Sequence, residues 1–202
     1  MSAQVETRRG FLRKTLGGAA LLAAAGAVPL ALRKTQLRSP RQPLRFFTPA
    51  EYSVFAAVAE RVLARGAADV PQELAGVLRA RPRAPAPAAL DVAGKADAFL
   101  APLDAASAKD LKQLLALFDN ALFSVLTGGP PRPFTRMDPA EQDAHLERWA
   151  TSRMAVRRTG FQALKRLSAA VYYGSPETYA SVGYPGPPDE LVRTVNASRG
   201  RP

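Results

Sequence analysis

Phe47-Thr48-Pro49-Ala50-Glu51-Tyr52 decides how the body of this chain is read. A threonine hydroxyl caps a helix start, and proline suits the first helical position, where its missing N–H is not needed. Glu51, three residues after Thr48, completes a capping box, and Phe47 and Tyr52 stand where a hydrophobic staple forms. Tyr52, Phe55, Ala59, Val62 and Leu63 then recur on one helical face until Gly66. The spacing predicts a helix over 49–66.

Towards the C-terminus, Pro71, Pro82, Pro85 and Pro87 exclude a long helix, although 72–78 has room for a short one. Arg79, Arg81 and Arg83 alternate with small residues and proline, which predicts a solvated basic loop. Helical spacing resumes over 90–103 through Leu90, Ala93, Ala96, Phe99, Leu100 and Leu103. Ser107 is read as the next cap, and Leu111, Leu114, Leu115, Phe118, Leu122, Val125 and Leu126 form one stripe that Gly128-Gly129-Pro130-Pro131 stops. A second box, Asp138-Pro139-Ala140-Glu141, opens a helix with Leu146 and Trp149 on its inner side. After a break near Thr151-Ser152, Met154, Phe161, Leu164, Leu167, Val171 and Tyr172 face inward, with Arg158, Lys165 and Arg166 outward. Gly174 ends that helix, and Ser175-Pro176-Glu177 opens a last short one. No window alternates as a half-buried strand does. The expectation is all-α: a single compact bundle of about five or six helices over 46–188, after an N-terminal signal helix and before a tail at 189–202.

Residues 33–45 read as an exposed basic connector with Pro40 and Pro43. Before it stand Arg8 and Arg9, then Phe11 and Leu12, then eighteen uncharged residues from Thr15 to Leu32, ten of them Ala or Gly. The segment 1–32 resembles a twin-arginine (Tat) export signal, an address read by a translocase. Ala25-Gly26-Ala27 offers a small-residue cleavage site. A membrane anchor is the competing reading, since eighteen helical residues span about 27 Å against a hydrocarbon core of about 30 Å.

The formal charge of +11 suggests nucleic acid until its distribution is examined. Residues 1–45 hold nine cations against Glu6, a net +8, which leaves +3 for the rest. The charge belongs to the leader and connector, and nucleic acid is discounted. Absence of cysteine excludes disulfides, Cys-x-x-Cys-His haem attachment and thiolate iron–sulfur ligation. His145, the single histidine, lies between Asp143 and Glu147 and is expected on the surface. No phosphate loop or nucleophile elbow is visible, and one histidine leaves few routes to a Ser-His relay. Catalytic, cofactor and metal residues are therefore expected to be absent from this chain.

The twin-arginine leader, Phe46-Phe47-Thr48-Pro49-Ala50-Glu51, the helix ending Tyr172-Tyr173, the turn 176–179 and Gly183-Tyr184-Pro185-Gly186 occur in that order. In that series the chain resembles the gluconate 2-dehydrogenase subunit 3 family. The resemblance implies a small subunit of a periplasmic dehydrogenase at the outer face of the inner membrane. Its large subunit, of the glucose–methanol–choline (GMC) type, would hold FAD and oxidise an alcohol or sugar, and a cytochrome c subunit often takes the electrons. The small subunit would mature the flavoprotein and carry it through the Tat translocase. Tyr179 departs from the tryptophan of the family pattern, and the 79–87 loop replaces a shorter, more acidic connection. Tyr172, Tyr173, Tyr179, Gly183, Tyr184, Pro185 and Gly186 are the expected docking surface, because tyrosine joins apolar area to a polar tip. Two other readings stand beside it: a Tat-exported or signal-anchored binding protein without such a partner, and a subunit lending residues to a shared active site.

Overall fold

The computed structural model describes residues 34–68 and 81–188. Seven α-helices occur among them: α1 (Pro49–Ala68), α2 (Val92–Leu100), α3 (Ala105–Phe118), α4 (Ala121–Leu126), α5 (Pro139–Ala150), α6 (Ala155–Tyr173) and α7 (Pro176–Val182). A 3-10 turn at Phe134–Arg136 stands between α4 and α5. The fold is an all-α bundle, as the periodicity predicts. The expected leader at 1–32, the short helix at 72–78 and the tail at 189–202 lie outside the described residues.

α1 is the hub, packed on α2, α3, α5, α6 and the 3-10 turn. Its start is the predicted box: Thr48 N–H donates to Glu51 Oε2 at 2.7 Å, and Glu51 N–H to Thr48 Oγ1 at 3.3 Å. Phe47 and Tyr52 are both buried, and the Phe47 ring stacks on Phe55 with centroids 5.7 Å apart. Phe55 and Val58 are fully enclosed, each side chain contributing roughly 1.5–3 kcal/mol of apolar burial. The helix continues two residues past Gly66, since a glycine stops a helix only where the backbone turns left-handed.

The reading differs most at 107–126. The single stripe is two helices, broken at Asp119-Asn120, which explains the additional element. Asn120 Oδ1 accepts from Phe123 N–H at 2.9 Å and starts α4. Asp119 turns inward, accepting from Thr135 N–H at 2.8 Å and from Thr35 Oγ1 at 2.6 Å. Rotated by the break, Val125 and Leu126 are exposed instead of buried. Asp104, not Ser107, caps α3, accepting from the N–H groups of Ala106 and Ser107. α2 begins at Val92 on a left-handed Asp91, and Phe99 and Leu103, expected inside, are exposed.

The second predicted box, Asp138 with Glu141, is present at α5, and Trp149 is fully enclosed. α6 buries Leu164 and Tyr172 and packs Phe161, Leu167 and Val171 against the core, as the spacing predicts. Its buried residues are Arg157, Gly160, Leu164, Ser168 and Tyr172, whereas Met154 is the exposed N-cap. A Cβ on Gly160 would stand 2.5 Å from Leu114 Cδ1 and 3.1 Å from Trp149 Cζ3, so only glycine lets α6 approach so closely.

The connector at 34–45 is largely exposed yet laced to the bundle. Arg136 Nε donates to Lys34 C=O, Gln36 N–H to Thr135 Oγ1, Arg38 N–H to Ser53 Oγ, and Arg41 to the Ala88 and Ala89 carbonyls. It ends at Asp97, a carboxylate buried on α2 that accepts from the N–H groups of Arg45, Phe46 and Phe47 at 2.7, 2.9 and 2.7 Å. Burial pushes Asp97 up, but these three amides outweigh it and leave the carboxyl below its usual range.

Candidate functional site

The expected docking residues fall on the end of α6, on α7 and on the turn after it, and they separate into two tyrosine pairs. Tyr172 and Tyr173 meet edge to face at 5.0 Å, and Tyr179 and Tyr184 do so at 4.9 Å. The environments within each pair are unequal. Tyr172 is a core residue, its hydroxyl donating to Pro85 C=O at 2.6 Å, and burial with the neighbouring Tyr173 raises its pKa. Tyr173 is 46% exposed and Tyr184 45%, with Val182 also uncovered between them in sequence. Tyr179 is half-buried and donates to Gly174 C=O. Tyr172 is thus withdrawn from the surface, which leaves Tyr173 exposed on α6 and the Tyr179–Tyr184 pair on α7 and its turn.

The turn fixes that face. Gly183 takes φ 71° at the α7 C-cap, and Tyr184 N–H returns to Tyr179 C=O at 2.9 Å. Gly186 adopts φ 100°, beside the Tyr179 ring. Pro185 is exposed between them. Both glycines occupy left-handed backbone that a Cβ would strain. The basic loop is more than solvated linker here, because Arg81 Nη1 donates to Val182 C=O at 2.6 Å and its guanidinium lies against Gly183. α7 is held at its other end by Lys95, which pairs with Glu177 at 2.9 Å and donates to Ser175 Oγ. The export-signal residues Arg8, Arg9, Phe11 and Leu12 lie outside the described residues.

A second polar region was missed from sequence. His145 is 1% exposed, where a surface position was expected. Its ring sits edge to face on Phe118 at 4.9 Å, beside Phe134 and Trp149. Burial first, then the charges of Arg148 and Arg157, push its pKa down to about 3, although the Phe118 carbonyl opposes the shift. It is a neutral aromatic filler at ordinary pH. Arg157 is 6% exposed and lies over the Trp149 ring, 5.5 Å from its centroid, and over Phe123 at 6.0 Å. Burial and Arg148 both lower its pKa. Its Nη1 donates to Ser152 Oγ, while its Nε and Nη2, the Nε and Nη2 of Arg148, Trp149 Nε1 and Ser124 Oγ are enclosed without a hydrogen-bond partner.

The surface also holds two open hollows. One, of about 180 Å³, is lined by Arg38, Arg41, Tyr52 and Asp91, and there burial and the hydrogen bond to Asp91 push the Tyr52 hydroxyl up to about 12. The other, of about 310 Å³, lies between Thr35, Glu51 and the α3–α4 break, and burial raises Asp119 beside it. Among the described residues no group of three or more His, Asp or Glu is placed to hold a metal ion, and no helix is long and apolar enough to cross a membrane. Comparison with protein-family models, curated proteins and solved structures returns no match to this chain.

Proposed function

We propose that this chain is a non-catalytic small subunit of a periplasmic, membrane-associated FAD-dependent dehydrogenase of the GMC type, serving its flavoprotein partner as maturation factor and Tat-export escort. The reading rests on the sequence series that begins at Arg8-Arg9 and ends at Gly183-Tyr184-Pro185-Gly186. The structural observation that carries it is the exposure of Tyr173, Val182 and Tyr184, the last of them on a turn with two left-handed glycines. Aromatic side chains held in fixed directions lose little conformational entropy on binding and are the usual anchors of interfaces. FAD belongs to the partner in this reading, and in complexes of the family that the chain resembles a cytochrome c subunit often takes the electrons.

The test is export of activity. Arginine's planar fork is not reproduced by lysine. Replacing Arg8 and Arg9 together by lysine is expected to hold both this chain and an FAD-containing alcohol dehydrogenase in the cytoplasm. Full periplasmic dehydrogenase activity in that strain would refute the escort reading. Copurification supports it only when the captured protein carries FAD and oxidises an alcohol or sugar.

A further inference from the structure

Residues 148–176 contain six cations, Arg148, Arg153, Arg157, Arg158, Lys165 and Arg166, and no Asp or Glu. The chain after residue 45 carries a net +3, so this stretch of +6 leaves −3 for everything else in it. Positive charge is thus gathered on α6 and the turn that leads into it. That placement does not serve the helix. α6 has no acid in its first turn, and its N-cap Met154 makes no side-chain hydrogen bond, so the positive end of the helix dipole adds to the arginines beside it.

The free cations share one face. At about 100° per residue, Arg158, Gln162, Lys165 and Arg166 fall within an arc of about 100°. All four are exposed, on the side away from Gly160, Leu164 and Ser168. Among the described residues neither Lys165 nor Arg166 has a carboxylate partner. Arg158 is engaged by backbone alone, donating from Nη1 to the Ser152 and Arg153 carbonyls at 2.6 and 3.0 Å. Met154 and Val156 are exposed where the helix begins, and Tyr173 stands at its far end with the docking residues.

We propose that this face of α6 lies on an anionic lipid bilayer. Cations without fixed partners present net charge instead of a positioned fork, and a fluid layer of lipid headgroups requires only the charge. The boundary beneath the headgroups takes up exposed apolar side chains such as Met154 and Val156, which a phosphate backbone would leave in water. The assignment rests on the membrane association proposed above and supplies its surface. Its test needs no flavoprotein, so failure here leaves the export test at Arg8 and Arg9 standing.

The chain has no cysteine, so Gln162→Cys on α6 and Gln113→Cys, exposed on α3, each carry a dye at one known place. The full chain is mixed with vesicles of phosphatidylcholine alone, or of phosphatidylcholine and phosphatidylglycerol in equal amounts, with a quencher at the headgroups. The dye at 162 should be quenched by the anionic vesicles alone, more than the dye at 113, and released by salt. Attachment through residues 1–32 alone would quench both positions alike. Lys165→Gln with Arg166→Gln should lower vesicle partitioning about 25-fold, at about fivefold per cation. Arg83→Gln with Lys109→Gln removes equal charge from other exposed positions and should change it little. The proposal falls if 162 and 113 are quenched alike, or if the two double variants bind equally well. It falls too if the chain binds polyglutamate and neither vesicle, which would assign the face to an acidic protein.

Discussion

Two ends of the bundle bury charge in opposite ways. At α2, the Asp97 carboxylate receives three backbone N–H groups, and its carboxyl is more acidic for it. Between α5 and α6, burial and then the nearby charge of Arg148 loosen the hold of Arg157 on its proton, and enclosed nitrogens of both residues are unmatched. The first arrangement is complete in itself and fixes chain path. The second leaves enclosed donors unmatched, which costs stability instead of fixing a chain path.

The largest expected effect is at the complete end. Asp97→Ala leaves three amides without their acceptor, at a cost of about 3 kcal/mol. That corresponds to roughly a 9 °C fall in Tm for a domain of this size, measured by calorimetry. Asp97→Asn keeps one oxygen, so about half of the loss should return. Were Asp97→Ala to melt with the parent, the carboxylate would not be what fixes the connector. Its folded pKa is depressed, so its contribution is present above the unfolded value near 3.8 and is lost as pH falls through the lower folded value.

His145 sharpens the contrast in a different pH window. Its pKa drops from 6.5 to about 3 on folding, so the unfolded chain takes up the proton first and stability declines from pH 6.5 downward. Between pH 7 and 4.5 the expected loss is about 2–3 kcal/mol, from the two units traversed. His145→Leu should flatten urea-derived stability across that range, while leaving the Asp97 step at lower pH. An unchanged slope in the variant would show that His145 is not the group titrating.

Smaller effects are expected at the tyrosines, where one residue of each pair is a control for the other. Tyr172→Phe removes the hydroxyl bonded to Pro85 and should cost about 1 kcal/mol. Tyr184→Ala should change the stability of the isolated chain by less than about 0.5 kcal/mol. Its effect belongs to partner affinity, where an anchor of this kind is worth about 2 kcal/mol or more. A sharp fall in Tm for Tyr184→Ala would make it a core residue instead.

Elements announced by local chemistry were legible in the sequence. Thr48 with Glu51 and Asp138 with Glu141 satisfy their own helix ends, so four consecutive positions suffice to find them. Where apolar spacing competed with a cap, the spacing misled. Asp119-Asn120 breaks the longest stripe, and the signal was there: two of the stronger capping residues side by side. His145 was misplaced because Asp143 and Glu147 flank it at two residues. On a helix those positions point away from it; its true neighbours are at three and four, Gln142, Arg148 and Trp149, and Trp149 marks the buried side. Arg157 sits on the stripe continued by Gly160, Leu164, Ser168 and Tyr172, a spacing hidden by looking only for apolar residues. The unmatched end could not have been read at all, since it depends on how α5 brings Arg148 near Arg157 of α6.

The lacing of the connector has a mechanical consequence. Its fastenings are met one after another by a pull from the N-terminal side: Lys34 first, then Thr35, Gln36, Arg38 and Arg41, and last the triple amide clasp on Asp97. Each earlier fastening is a single contact or an exposed pair and yields by peeling, without disturbing a helix. The clasp engages three amides at once and acts as a stop. Peeling residues 34–44 would pay out about 36 Å of extended chain before the clasp on Asp97 took the load. A pull on the N-terminal side would therefore be taken up by the connector first, with the bundle intact behind the clasp.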